Sequence, residues 1–376
     1  MLGTLAGCNG LRVPLERELP GDWAQDGGNA GRNSASEIAL LLPLEQHWRT
    51  GVEAAFGTAS ALVLGDMIAV GTRRGEVVLI AAENGKRLGR VEVGEAIEGG
   101  LARAADVIYT PVDKGRRGIQ ALEPATGARQ DLARSATAAS VLVLPNGLAV
   151  ATTERNTVGA FRADATAAQW TQEIGPGRIV AGAAGNGDVV VVGDDGGTLV
   201  ALDPETGVVR WRRALGVPVL ERPALGSLLY VSTPRGRLLA LDPASGAERW
   251  RLSLPDTTVR LAAPAVSGDD LAVAGTDGRV RLLDARTGAV RWEAVLDGAI
   301  TAAPLVTAGH VFVGTHRKRL VALDRASGAN VWEDELRGRV KSAMAIGAGC
   351  LVVLTDARDV LCYRPATPAA ATSARR

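Results

Sequence analysis

Val200-Ala-Leu-Asp203-Pro-Glu-Thr-Gly207-Val-Val-Arg-Trp211 decides how this chain folds, because it is one copy of a recurring block. The block returns as Leu239-Ala-Leu-Asp242-Pro-Ala-Ser-Gly246-Ala-Glu-Arg-Trp250 and as Arg281-Leu-Leu-Asp284-Ala-Arg-Thr-Gly288-Ala-Val-Arg-Trp292. A further copy is Val321-Ala-Leu-Asp324-Arg-Ala-Ser-Gly328-Ala-Asn-Val-Trp332. Upstream copies are degenerate. Gln120-Ala-Leu-Glu123-Pro-Ala-Thr-Gly127 has no Trp, and Ile80-Ala-Ala-Glu-Asn-Gly85 has neither Asp nor Trp. The copy from Gly159-Ala-Phe161 to Trp170 has Thr166 in the Gly position. Turn residues at 85, 127, 166, 207, 246, 288 and 328 are separated by 42, 39, 41, 39, 42 and 40 residues. A fixed period of this length is the mark of a solenoid, an array or a propeller.

Within one period the pattern is β. In residues 217–250 the runs Ser227-Leu-Leu-Tyr-Val231 and Arg237-Leu-Leu-Ala-Leu241 are separated by Pro234-Arg-Gly236, and Asp242-Pro-Ala-Ser-Gly246 precedes the Trp-bearing run. Glycines at Arg74-Gly75, Gly196-Gly197 and Asp277-Gly278 suit tight hairpins that need positive φ. About four short strands fit each period, with no amphipathic stretch of helical length between them. The expectation is an all-β, eight-bladed β-propeller with four antiparallel strands per blade. The Trp position is occupied in turn by Trp48, Gly89, Asp131, Trp170, Trp211, Trp250, Trp292 and Trp332, which are eight blade starts, or seven if the N-terminal copies merge. Ile38-Ala-Leu-Leu-Leu42 can supply the strand that closes the ring.

Composition agrees and excludes other classes. Seven Trp against three Tyr and three Phe shows that Trp is reserved for one recurring place. A net charge of +1 argues against a nucleic-acid partner, which would require a basic face. No run of about 18 apolar residues spans a membrane as a helix. Three Cys and three His without metal-ligand spacing provide no zinc site. Hydrophobic residues make up 47% of the chain, too many for a disordered one.

The Ala-Leu-Asp-x-x-Thr/Ser-Gly-x-x-x-Trp block resembles the tryptophan-docking repeat of the quinoprotein-like, PQQ-repeat superfamily, over roughly residues 38–365. That resemblance implies that Trp48, Trp170, Trp211, Trp250, Trp292 and Trp332 tie each blade to its neighbour's turn. Asp203, Asp242, Asp284 and Asp324 are then turn formers. The superfamily contains dehydrogenases and scaffolds, so fold alone does not assign activity. The dehydrogenases need a calcium site, a channel Trp under the cofactor and often adjacent Cys. Here no two Cys are adjacent, and six of the seven Trp are committed to blades. The remaining Trp23, in an N-terminal loop, reads as an exposed or capping residue.

The N-terminus points to the other branch. Leu5-Ala6-Gly7-Cys8 matches a bacterial lipobox, which makes Cys8 the lipidation site and residues 1–8 the remnant of a signal. Residues 9–35, Gly- and Asn-rich, read as a flexible tether, 36–365 as the propeller and 366–376 as a disordered tail. Together with the repeat, this resembles the BamB-like lipoproteins of the outer-membrane β-barrel assembly machinery. The resemblance implies a scaffold at the periplasmic face of the outer membrane, with no catalytic, cofactor or metal site. Its implied partners are the POTRA domains of the barrel-inserting subunit, nascent outer-membrane proteins and the membrane itself. The alternatives are a lipid-anchored subunit of another envelope complex and a PQQ-dependent dehydrogenase.

Partner-binding residues are expected on the loops that lead from each Trp strand to the next blade, because these vary while the frame repeats. They are Leu215–Pro223 with Glu221 and Arg222, Leu254–Pro264 with Arg260, and Leu296–Pro304 with Asp297. In the last hairpin, a turn at Ala357-Arg358 with Asp356 opposite Asp359 sets Cys362 across from Val353 and Cys350 across from Pro365. That register places the two Cys on opposite faces, and both are expected to be buried free thiols.

Overall fold

The computed structural model describes residues 13–15, 19, 21–113, 118–133, 139–152, 156–165 and 167–366. Thr166, Cys8 with the rest of 1–8, and 367–376 of the expected tail lie outside them. Ala366, the one tail residue described, donates its amide to Pro43 O at 2.9 Å.

The described residues form eight four-stranded antiparallel sheets and no helix, as the repeat predicts. Blade five shows the plan. Its inner strand is Ala224–Leu225, followed by Leu229–Thr233, Arg237–Leu241 and the outer strand Glu248–Ser253. Blades one to seven each come from one continuous stretch in this order, and their inner strands line the channel. Burial follows position. The second and third strands are buried on both faces and run Val-, Leu- and Ala-rich. Outer strands alternate, as in Glu248–Ser253, with one face on the neighbouring blade and one in solvent.

The ring closes between the two ends of the chain. Blade eight takes three strands from the C-terminus, Ala345–Gly347, Cys350–Leu354 and Asp359–Pro365, and its outer strand, Leu44–Gly51, from the N-terminus. The closing strand is therefore the one that carries Trp48, not Ile38–Leu42, which forms no strand. Closure by pairing of chain ends removes the open edges a stack of blades would leave.

Tryptophan docking is visible at atomic detail. The indole N–H of Trp170 donates to Pro204 O at 3.0 Å, Trp211 to Pro243 O at 2.9 Å and Trp250 to Ala285 O at 3.0 Å. Trp292 donates to Arg325 O and Trp48 to Ala82 O, each at 2.9 Å. Each acceptor lies in the turn between the third and outer strands of the next blade. There the turn glycine lies flat against the ring: a Cβ on Gly207 would sit 2.5 Å from the Trp170 indole. The same glycine has φ +71°, so the position requires Gly twice over. Trp332 packs edge-on against Tyr363 of the closing blade, ring centroids 5.8 Å apart.

The turn itself is built by its aspartate. Asp203 Oδ1 accepts from Thr206 N and Thr206 Oγ1, each at 2.9 Å, while Oδ2 accepts from Arg210 at 2.7 Å. The Arg210 bond leads the contacts that hold the Asp203 carboxyl down to about 2. Asp242 with Arg249 and Asp284 with Arg291 repeat the device. The arginine before Trp211, Trp250 and Trp292 is thus part of the turn, a role the sequence reading left unassigned.

The cysteines correct an expectation. Cys350 and Cys362 form a disulfide, with Cα atoms 5.3 Å apart. The hairpin turns through Asp356, Ala357 and Arg358, with Arg358 at φ +67° and Thr355 N bonded to Asp359 O. That three-residue turn sets Cys362 opposite Val352, one residue from the expected register. A slip of one residue moves a side chain to the other face, and here it brings both sulfurs to the same side.

Candidate functional site

Strand alternation assigns every connection to one of two faces. The first-to-second connections and the Asp-Gly turns lie on one face. The second-to-third hairpins and the loops into the next blade lie on the other, called the loop face below. On the loop face each loop reaches the axis just before its inner strand, mostly on small residues. Ala263, Ala303 and Ala343 touch one another there. They enclose a cavity of about 180 Å³ lined also by Thr58, Glu98, Ser140 and Glu221.

The floor of this cavity was not foreseen. Residues 21–35 of the expected tether, with Ser36, form a strap laid along the inner strands of blades one to seven. Trp23 exchanges two backbone bonds with Val63, and Ala24 O accepts from Arg103 N at 2.7 Å. Gln25 completes a pairing with its side chain: its amide donates to Val143 O at 3.0 Å and accepts from Val143 N at 2.9 Å. Ala30, Gly31, Asn33 and Ser34 then accept, in order, from Gly185, Leu225, Val266 and Val306. Trp23 is buried at 2% exposure, not exposed or capping, and its indole donates to Ser60 Oγ at 3.0 Å.

A buried ionic cluster locks the strap. Asp26 accepts from Ser60 N at 3.0 Å and Ser140 Oγ at 3.1 Å, and Arg222 Nε stands 3.3 Å from it. Burial works to raise the Asp26 pKa, but Arg222, Arg32 and these hydrogen bonds outweigh it and hold the carboxyl below its usual value. Arg32, fully buried, spends its guanidinium on carbonyls: Ala183 O at 3.0 Å, Asp26 O at 2.6 Å and Val141 O at 2.8 Å. Burial brings its pKa down to about 10, so it remains a cation at neutral pH.

The four expected partner-binding residues fall into different environments. Arg222 is corrected: it is buried, donating to Arg32 O at 2.8 Å and Ser34 Oγ at 2.6 Å, and its guanidinium points into the strap instead of toward a partner. Two bonds to oxygens of the strap and an ion pair with Asp26 are what draw it inward. Its neighbour Glu221 lines the cavity, where burial pushes its pKa up to about 7 against the pull of Arg222 and the Ala263 amide. Arg260 is exposed on its loop, with its amide fixed by Thr276 Oγ1 at 3.0 Å. Asp297 is 82% exposed and faces Arg317 at 3.6 Å. The structure therefore keeps Arg260 and Asp297 on the surface of successive loops. The residues that sequence reasoning missed are Trp23, Asp26 and Arg32, which carry no local periodicity and find their partners across the ring.

An eight-bladed propeller, closed by its own termini, tied by tryptophan docking and plugged by an N-terminal strap, is the class these features define. The model of the family described as outer membrane protein assembly factor BamB matches residues 154–305 and 295–367, more than half of the chain. The chain belongs to that family.

Among solved structures, it is 20% identical to BamB from Moraxella catarrhalis, with a TM-score of 0.66 over 86% of this chain and 98% of that one. It is 14% identical to the quinohemoprotein alcohol dehydrogenase from Comamonas testosteroni, with a TM-score of 0.73 over 89% of this chain and 76% of that one. The computationally designed Ika8 protein is also 14% identical, with a TM-score of 0.72 over 84% of this chain and 97% of that one. At these identities the structural likenesses establish the fold alone. No curated protein sequence matches the chain.

Proposed function

We propose that this chain is a non-enzymatic scaffold of the outer-membrane β-barrel assembly machinery. A lipid on Cys8 holds it at the periplasmic face of the outer membrane. Its loop face docks the POTRA domains of the barrel-inserting subunit. The observation that carries this reading is the family match over the tryptophan-docking blades. Two features of the fold support it. The strap fills one end of the channel with its own residues, which leaves the loops as the variable surface. The Cys350–Cys362 disulfide suits an oxidising compartment such as the periplasm.

Within this reading Arg260 is a contact and Arg222 a structural residue. Arg260→Glu is expected to weaken capture of the POTRA segment while leaving thermal unfolding unchanged. Equal capture by wild type and variant removes Arg260 from the interface. The scaffold assignment itself is tested by isolating the full-length protein from membranes. Recovery of the barrel-assembly components supports it, and their absence assigns the ring to another envelope complex.

A further inference from the structure

A band of cations lies where blades seven and eight meet on the loop face. The second-to-third turn of blade seven carries His316, Arg317 and Lys318, and the loop after its outer strand, Asn330–Glu335, carries Arg337, Arg339 and Lys341. The two segments are joined, since Leu336 N donates to Lys318 O at 2.7 Å. His316 registers the charge that collects there: burial first, then Arg339 and Lys341, lower its pKa.

Arg317, Lys318, Arg337, Arg339 and Lys341 are all exposed. Two carboxylates answer them. Asp356 takes Arg339 at 2.7 Å and Lys341 at 3.5 Å, and Asp297 faces Arg317 across solvent, a geometry of little energetic value. Lys318 and Arg337 have no ion pair among the described residues. The band thus concentrates an excess of positive charge in a protein whose total is only +1. Like charges held together this way cost self-repulsion unless an anion is brought to them.

We propose that this band docks an acidic segment of a polypeptide partner. The inference rests on the reading of the loop face as the docking face and adds the chemistry of what docks. Exposed arginines offer forked donors matched to carboxylates, and the lysines add steering charge. A bilayer is disfavoured by direction. Val13 N bonds to Pro124 O, and Asp22 accepts from Gly65 N at 2.8 Å, both at turns of the face opposite the band. A lipid on Cys8 would hold that opposite face toward the membrane, leaving the band to meet soluble segments.

The test uses the full chain and a short fluorescent peptide of alternating Glu and Ser, read by anisotropy at about 150 mM salt, where long-range attraction is screened. Wild type is expected to bind, and the double variant Lys318→Glu/Arg337→Glu to bind about tenfold more weakly. Lys86→Glu, on the opposite face, is expected to bind as wild type, and matching urea midpoints confirm that all three are folded. Unchanged affinity in the double variant, an equal loss in Lys86→Glu, or preference for phosphatidylglycerol vesicles over the peptide would overturn the proposal. No barrel-assembly component enters this assay, so POTRA docking can fail while the acidic-segment site stands, and the reverse.

Discussion

Replacing Arg222 by Met removes three contacts at once: the ion pair to Asp26 at 3.3 Å, the bond to Arg32 O at 2.8 Å and the bond to Ser34 Oγ at 2.6 Å. The Met stem keeps most of the packing but leaves Asp26 buried, with Arg32 as its remaining cation at 3.9 Å. Breaking a buried pair from one side costs about 3–5 kcal/mol, because the surviving charge is uncompensated. The cost must depend on pH, with a defined sign. Asp26 has a folded pKa below its unfolded value, so its ion pair adds stability that is present above the ordinary carboxylate range and lost as pH falls through the folded value. Without Arg222, one of the two cations that oppose burial is gone, and Asp26 takes up a proton at higher pH than in wild type. The gap between wild type and variant should therefore be widest at pH 7 and narrow toward pH 4. Urea unfolding followed by Trp fluorescence measures it, with midpoints compared at the two pH values. A loss under about 1 kcal/mol at pH 7, or a gap that does not move with pH, would refute the claim that this cluster locks the strap.

Other perturbations test other parts of the frame. Trp170→Ala should cost about 3–5 kcal/mol by thermal unfolding, since it empties a docked indole site and orphans Pro204 O. Replacing both Cys350 and Cys362 by Ser should cost about 2–3 kcal/mol, the value of a short-loop crosslink, and reductant should lower the wild-type urea midpoint but not the variant's. Glu221 has a raised folded pKa, so it binds a proton more tightly folded than unfolded and its contribution falls as pH rises from 4.5 to about 7. Glu221→Gln should therefore gain about 1 kcal/mol over wild type between pH 4.5 and 8, less than the full shift because the cavity mouth admits water. An equal stability difference at both ends would contradict that environment.

The repeating frame was legible because each of its contacts is local or periodic. Asp203 reaches three residues ahead, Arg210 is seven away, and the docked Trp recurs in six of the eight blades. The closing strand was misplaced because Ile38–Leu42 has the right hydrophobicity. Leu44–Gly51 instead alternates only loosely, and its register shifts between Gln46 and Trp48. The cysteine pairing failed on a single residue: a loop of two or of three at Ala357 looks alike in sequence, and only Arg358 in the left-handed region shows which was built. The strap was opaque for a different reason. Asp26, Arg32 and Gln25 look like tether residues because their partners at Ser140, Ala183 and Val143 lie more than 100 positions away. Polarity in a glycine-rich stretch normally signals solvent, and here it signals hydrogen bonds inside a channel. For the same reason Arg222 looked like a surface contact beside Glu221.

The N-terminal segment also has a mechanical consequence. Blade one carries Gly89 where six other blades place the indole, so the turn carbonyl of Pro124 receives no Trp; the amide of Val13 donates to it instead, at 3.1 Å. A pull on the chain ahead of Val13 therefore enters the ring at the seam between blades one and two. Behind that bond the force meets the strap, whose attachments are shared among the inner strands of seven blades. Each of those attachments must break before the strap leaves the channel. If the chain is held by its leading end, tension is distributed through the hub of the ring and not concentrated on any single blade.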